Sequence, residues 1–286
     1  MQLLLARGDV NPDKSSTEGW TPLSQASTHG HEMVVRLLLG TDNADVNKQD
    51  NQGCTSLWWA SENGHEEVVR QLLTRDDVDP NMSDSEGGTP LLQASVRGHE
   101  GVVRLLLERD DVNADRPDDD GETPLSQTSV RGREGMVGLL LERNDVNPDR
   151  PNKYGWTPLS QASMCGHEGV VRLLLAREDV NPDKPDNGGK TPLSRASWRN
   201  EGVARLLLAR HDVNPDRPDN DGKTPLWEAC DNGSVGMVRL LLARNDVNPN
   251  RPNNQGQTPL QAASRRKNWE IVQLLQSRIT AIPSLD

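Results

Sequence analysis

Four histidines stand at matching points of the sequence and are candidate metal ligands: His31, His65, His99 and His167. Imidazole is a common zinc ligand, but a zinc–nitrogen bond is only about 2 Å long. Neighbouring packed helices lie about 8–10 Å apart. If each histidine belongs to a different layer of helices, no two can share one ion. We therefore predict no metal site and expect each histidine to brace the turn after a glycine.

Two short strings resemble the end of a phosphate-binding loop: GGKT at 188–191 and DGKT at 221–224. Such a loop needs an earlier glycine, where Lys184 and Arg217 stand instead. The stretch 216–228 has acidic residues at offsets seen in calcium loops, but the first ligand position is again Arg217. We therefore predict no cofactor.

The cysteines Cys54, Cys165 and Cys230 are odd in number and far apart, which is atypical of a disulfide framework or a zinc site. A nucleophile also needs a base within reach that a third group holds in place, and the sequence offers no such trio. We predict that Cys165 is exposed at the end of a helix and that Cys230 lies in the core. The chain is predicted to be no enzyme and to reside in the cytoplasm or the nucleus.

The charge balance limits the class of partner. The chain of 286 residues has 32 Lys and Arg against 43 Asp and Glu, a net charge of -11. Such a surface repels nucleic-acid phosphates and anionic lipids. No apolar run approaches the ~20 residues of a membrane helix. We predict neither nucleic acid nor membrane as a partner.

A fixed period organises the chain. The threonine of each T-P-L or T-S-L string recurs at intervals of 34 residues, with one interval of 33. These threonines are Thr21, Thr55, Thr89, Thr123, Thr157, Thr191, Thr224 and Thr258. A period in this range is typical of a repeat architecture rather than of one central core.

Each period predicts two short helices. Leu23, Ala26 and Ser27 fall on one helical face, the Thr-Pro before them suits a helix start, and Gly30 suits its end. A second apolar helix follows at 32–39. The segment that joins two periods is rich in Asn, Asp, Pro and Gly and predicts a projecting turn, which we call a finger.

The motifs G-x-T-P-L-x-x-A, G-H and V-V-x-x-L-L-L resemble the ankyrin repeat over essentially the whole chain. The resemblance implies an all-α ankyrin-repeat solenoid, a single domain at 1–286 with eight repeats after an N-terminal half repeat. The predicted boundaries are 1–13, 14–47, 48–81, 82–115, 116–149, 150–183, 184–216, 217–250 and a capping repeat at 251–286.

The resemblance implies a non-catalytic scaffold that binds a protein or peptide on its concave face. The linker D-V-N-P-D-x-P looks like that of long fungal arrays, which often follow a NACHT-type NTPase domain. Because 1–13 aligns with a second helix only, we expect the chain to be a fragment or a truncated gene product. The alternative function is therefore the sensing or autoinhibitory part of a signalling NTPase.

The exposed positions that differ between repeats predict the binding surface. Val96, Val130, Met164 and Trp198 form an apolar column where a solvated helix would favour charged residues, and arginines run beside it. Aromatic, Met and Arg side chains are favoured in interfaces, and an acidic or phosphorylated peptide fits best. The predicted partner-binding residues are Arg97, Arg131, Tyr154, Trp156, Met164, Lys190, Arg195, Trp198, Arg199 and Lys223.

Packing is the alternative explanation for the same residues. Val96 and Val130 could pack against neighbouring helices, and Trp198 could fill space left by the one-residue deletion in 191–210. Because Asn200 stands in place of a Gly-His pair, we predict a shorter turn that pushes Trp198 onto the concave face near Met164 and Trp156. Ala204 predicts a thinner core at this repeat. For Trp59 and Trp227 we predict partial burial.

Overall fold

The computed structural model describes residues 11–41, 44–198 and 200–281. These ranges contain sixteen α-helices and no strand, which confirms the predicted all-α fold. Residues 1–10 of the predicted half repeat lie outside the described residues.

The helices form consecutive pairs along the chain. These pairs are α1 (Pro22–Thr28) and α2 (Glu32–Leu39); α3 (Ser56–Asn63) and α4 (Glu66–Leu73); α5 (Pro90–Arg97) and α6 (Glu100–Leu107); α7 (Pro124–Val130) and α8 (Glu134–Leu141); α9 (Pro158–Cys165) and α10 (Glu168–Leu175); α11 (Pro192–Ala196) and α12 (Glu201–Leu208); α13 (Pro225–Asn232) and α14 (Val235–Leu242); α15 (Pro259–Arg265) and α16 (Trp269–Ala281).

The first helix of a pair starts and stops at the predicted residue types. Before α9, the Thr157 hydroxyl accepts a hydrogen bond from the backbone N–H of Ser160 at 3.2 Å, and Pro158 occupies the first turn. This cap satisfies a donor that has no partner within the helix. The helix ends at Gly166 with φ 80°, a left-handed conformation that glycine adopts without a steric penalty.

Three of the four histidines brace consecutive pairs, whereas His31 makes no such hydrogen bond within the described residues. The Nε2 atom of His65 lies 2.9 Å from the carbonyl oxygen of Thr28, and Nε2 of His167 lies 3.0 Å from that of Val130. His99 makes the same contact with the preceding pair. In the described part of the chain, no three His, Cys, Asp or Glu side chains are grouped to hold a metal ion.

The chain divides into two compact units. The first unit comprises residues up to Thr128 together with Gly135–Asn147, and the second comprises Ser129–Glu134 and the residues from Pro148 onward. Within each unit, first helices pack against first helices of neighbouring pairs, and second helices pack against second helices. Within a unit, a pair therefore buries its apolar faces against its neighbours, as expected of stacked repeats.

The middle leucine of each second helix carries the core. In the second unit, Leu174 and Leu207 are fully buried, whereas the flanking Leu173 is only half-buried. Each fully buried leucine contributes roughly 1.5–3 kcal/mol to stability. Ala204, also fully buried, stands where α10 has the larger Val171.

A repeated arginine connects the ends of the second helices. Arg210 donates from Nε and Nη2 to the two oxygens of Asp212, at 2.9 and 2.6 Å, and from Nη1 to the carbonyl oxygen of Leu175 at 3.0 Å. Carbonyl groups at a helix C-terminus lack intrahelical donors, so this bond joins one pair to the preceding one. The same arrangement recurs at Arg75, Arg109, Arg143 and Arg244.

Candidate functional site

Asp186 joins the finger before α11 to that helix. Its Oδ1 accepts hydrogen bonds from the backbone N–H groups of Gly188 and Lys190, at 2.8 and 3.0 Å. Its Oδ2 accepts a bond from Nε of Arg195 at 2.8 Å. The Asp186 side chain is fully buried, and a buried carboxylate is costly without a charged partner. Arg195 is therefore fixed in one orientation.

The fixed guanidinium of Arg195 covers an aromatic ring from the preceding finger. Its Cζ lies 4.8 Å from the ring centroid of Trp156, within the range of a cation–π interaction. The Tyr154 ring lies 5.5 Å from that of Trp156 at an interplanar angle of 40°. Trp156 is half-buried and Tyr154 is exposed. Finger and helix thus present one continuous aromatic and cationic surface.

Lys190, at the base of the same finger, pairs with Glu228 of α13. Burial raises the pKa of the Glu228 carboxyl group above its ordinary value, and the Lys190 ammonium group opposes this rise. The Ser197 hydroxyl donates to the second Glu228 oxygen at 3.4 Å. The positive charge of Lys190 is therefore balanced within the chain.

The carboxylates of Asp186 and Glu228 were absent from the predicted set. A signal for the first was present in the sequence, because an Asp or Asn recurs at this point of seven fingers and binds the finger backbone, while Ser16 does so in the first finger. The series is Asp50, Asp84, Asp118, Asn152, Asp186, Asp219 and Asn253. No local signal pairs Glu228 with a lysine of the preceding finger.

The predicted shorter turn is wrong: the deletion shortens α11 to five residues, whereas α9 and α13 have eight. The turn before α12 spans positions 197–200, while the turn before α10 spans only 166–167. The missing residue is therefore compensated by an early end of the helix.

Asn200 then replaces the bracing histidine, and its Nδ2 donates to the carbonyl oxygens of Ser163 and Met164, both at 2.9 Å. Trp198 falls in the turn between α11 and α12, where it is 61% exposed. Its carbonyl oxygen accepts a hydrogen bond from the Ser234 hydroxyl.

Met164 and Trp198 line one open depression of about 390 Å³, together with Lys190, Arg195 and Glu228. A second depression, of about 440 Å³, adjoins Trp198 on its other side. Met164 is 37% exposed. The predicted residues of the second unit that line the first depression, together with the Trp156 and Tyr154 rings that Arg195 connects to it, form what we call the Trp198 surface. Its members are Tyr154, Trp156, Met164, Lys190, Arg195 and Trp198.

The other four predicted binding residues do not belong to the Trp198 surface as the structure describes it. Arg97 belongs to the first unit and pairs with Glu62, and Arg131 is exposed at the end of α7. Lys223 pairs with Asp221 at 2.9 Å. Arg199 lies outside the described residues.

The two tryptophans predicted to be partly buried differ. Trp59 is half-buried, and its indole N–H donates to Asp50 at 2.8 Å. Trp227 is only 4% exposed, which is more buried than predicted, because its indole N–H reaches the carbonyl oxygen of Gln257 in the next finger at 3.0 Å. Both rings therefore serve packing between neighbouring elements.

The three thiols are poorly suited to nucleophilic chemistry. Burial raises the pKa of Cys230 to about 12 and also raises the pKa of Cys54 and of Cys165 above the ordinary thiol value. The thiolate, which is the reactive form, is therefore scarce near neutral pH. Cys165 is exposed and Cys230 is buried, as predicted. None of the helices in the described ranges is long and apolar enough to span a membrane.

The helix pairs that stack within each unit define a helical repeat protein. The sequence profile described as ankyrin repeats in three copies matches residues 1–84, 72–152, 132–219 and 203–282. The chain therefore belongs to the ankyrin repeat family. Ankyrin repeats are generally protein–protein interaction modules without catalytic activity. A search of curated proteins finds no match. The association with a NACHT-type NTPase stays a prediction.

Proposed function

We propose that this chain binds a protein or peptide partner on the Trp198 surface. The observation that carries the proposal is the exposure of Trp198, 61% of whose surface faces solvent beside the exposed Met164. An exposed indole next to an open depression offers a large apolar contact area, and such residues are enriched at the centres of interfaces. We propose that the Trp198 surface is part of the concave binding face predicted from the sequence.

An acidic or phosphorylated segment is the proposed form of the partner. A guanidinium group has five N–H donors, and Asp186 engages those on Nε and Nη2 of Arg195. The N–H groups on Nη1 remain to donate to a carboxylate or phosphate oxygen, from a guanidinium group already oriented by Asp186 and Trp156. Lys190 is already paired with Glu228, so we expect it to contribute less than Arg195 to the binding of an acidic or phosphorylated group.

The proposal is tested by quantitative affinity capture with the full chain and the double variant Met164→Ala/Trp198→Ala. We expect capture of the partners to fall at least about tenfold, because truncated anchor residues cost 2 kcal/mol or more. The matched control is Met33→Ala in the first unit, since Met33 is 64% exposed. Equal capture by wild type and the double variant would reject the surface.

A phosphatase arm and a salt series separate the two parts of the proposal. An acidic partner should be lost as salt rises from about 50 to about 500 mM, and a phosphorylated one should be lost after phosphatase treatment. Capture that depends on Trp198 but resists both treatments would keep the surface and reject the acidic partner.

A further inference from the structure

The turn between α15 and α16 departs from the other inter-helix turns of the chain. Lys267 has φ 60°, and it is the only non-glycine residue with a positive φ among the described residues. Glycine fills the same turn position in most other pairs, also at positive φ: Gly30, Gly64, Gly98, Gly132, Gly166 and Gly233. A side chain in this conformation is sterically disfavoured. Lysine therefore occupies a position where glycine would be more stable.

A tryptophan follows two residues later. Trp269 is the first residue of α16, and 63% of its surface is exposed. Glutamate occupies this position in other pairs, for example Glu66, Glu168 and Glu201. An exposed indole in place of a solvated carboxylate does not serve the core of the pair. It presents an apolar contact surface beside Lys267.

The charge of this turn is opposite in sign to that of the chain. Arg265 and Arg266 both donate to the single carboxylate of Asp231, at 2.7 Å and at 3.0–3.1 Å. Lys267 pairs with no carboxylate within residues 11–41, 44–198 and 200–281. Three bases are thus balanced by one acid, on a chain whose net charge is -11.

We propose that Arg265, Arg266, Lys267 and Trp269 form a second docking surface, for an acidic protein segment rich in Asp and Glu that carries an apolar side chain. Charge complementarity selects the acidic residues, and the Trp269 indole selects the apolar one. Arg265 and Arg266 already converge on the Asp231 carboxylate, so the two guanidinium groups do not leave an open position between them that would hold a single phosphate. The acidic remainder of the chain repels nucleic acid. This surface is independent of the Trp198 surface.

The test uses the full chain and a fluorescein-labelled peptide of repeated Glu-Glu-Leu triplets, with binding followed by fluorescence anisotropy. The variant Lys267→Gly/Trp269→Glu restores residue types that other pairs have in this turn. We expect it to weaken binding by about tenfold or more, while its melting temperature stays within about 2 °C of wild type or rises. Wild-type affinity should fall as salt rises from about 50 to about 500 mM.

The matched control is Lys14→Gly/Met33→Glu in the first unit, which changes the net charge by the same amount and also removes an exposed apolar side chain. It should bind the peptide like wild type. Equal binding by the α15–α16 variant, or no binding by wild type at low salt, would overturn the proposal. Stronger binding of a phosphoserine peptide or of a single-stranded oligonucleotide would overturn the choice of an acidic segment. The two proposals are tested separately. If Met164→Ala/Trp198→Ala captures partners as well as wild type does, the Trp198 surface is rejected, and the peptide-binding results for the α15–α16 turn still stand.

Discussion

The helix pairs α9–α10 and α11–α12 differ by one residue and by the role of one side chain. In the first pair, α9 has eight residues, Gly166 closes it and His167 braces the turn. In the second, α11 has five residues. The residue that follows the shortened helix, Trp198, is exposed.

The comparison shows that a repeat can lose a residue and keep its connection to the stack. The amide of Asn200 makes two hydrogen bonds to the preceding pair where His167 makes one. The ion pairs after the second helices, Arg177–Asp179 and Arg210–Asp212, have the same geometry in both pairs. The deletion therefore changes the surface near Trp198 and leaves these ion pairs intact. We call the side of the helix pairs where they lie the outer side of the stack, and the ion pairs themselves the outer ion pairs.

The largest effect is expected from the core leucines. We expect Leu174→Ala to lower the free energy of unfolding by about 2–5 kcal/mol, because it leaves a cavity among fully buried neighbours. Leu207→Ala should fall at the lower end of that range, since the smaller Ala204 beside it predicts a thinner core. Urea denaturation of both variants measures the difference. A larger loss for Leu207→Ala would contradict a thinner core at α12.

Loss of the bracing side chains, Asn200 and His167, should lower the free energy of unfolding by less than loss of a core leucine. Here the larger loss is expected in the α11–α12 pair. We expect Asn200→Ala to cost about 1–3 kcal/mol and His167→Ala about 0.5–1.5 kcal/mol, because the amide makes two hydrogen bonds and the imidazole one. The same denaturation experiment compares them. If Asn200→Ala proves neutral while His167→Ala is costly, the amide does not replace the histidine.

The outer ion pairs should give the smallest effect, and an equal one in both pairs. Arg210 lowers the pKa of Asp212 from 3.8 to about 2, so its contribution is present above about pH 4 and is lost as the pH falls towards 2. Because 39% of the Asp212 side chain is exposed, we expect Asp212→Asn to cost well under 1 kcal/mol at pH 7.

Asp179→Asn serves as the matched variant in the α9–α10 pair, because Arg177 lowers the pKa of Asp179 in the same way. Unfolding of both variants at pH 7 and near pH 2 should give similar losses at the higher pH and none at the lower. A clear loss for one variant alone would show that the deletion also alters the outer side of the stack.

The helices and their boundaries were predictable because their signals are local. Threonine before proline and glycine after the last turn act within a few residues, so α9 begins and ends where the sequence predicts. The exposure of Trp198 was also predicted, from the missing residue. The burial of Trp227 was underestimated, because its partner is a carbonyl group in the next finger.

The charge of the candidate site could not be read from the sequence. Lys190 and Arg195 were predicted as bases that face a partner, yet each is paired with a carboxylate of the chain. The Lys190–Glu228 pair joins residues 38 positions apart, and such pairs depend on how consecutive helix pairs are stacked. Periodicity identifies equivalent positions but not the contacts between them.

The most direct test of the account compares the unfolding free energies of Trp198→Ala and Trp227→Ala. If the early end of α11 places Trp198 outside the core, Trp198→Ala should cost less than about 0.5 kcal/mol, whereas loss of the buried Trp227 should cost about 3–5 kcal/mol. A loss for Trp198→Ala close to that for Trp227→Ala would show that Trp198 fills space in the stack and would contradict its assignment to a binding surface.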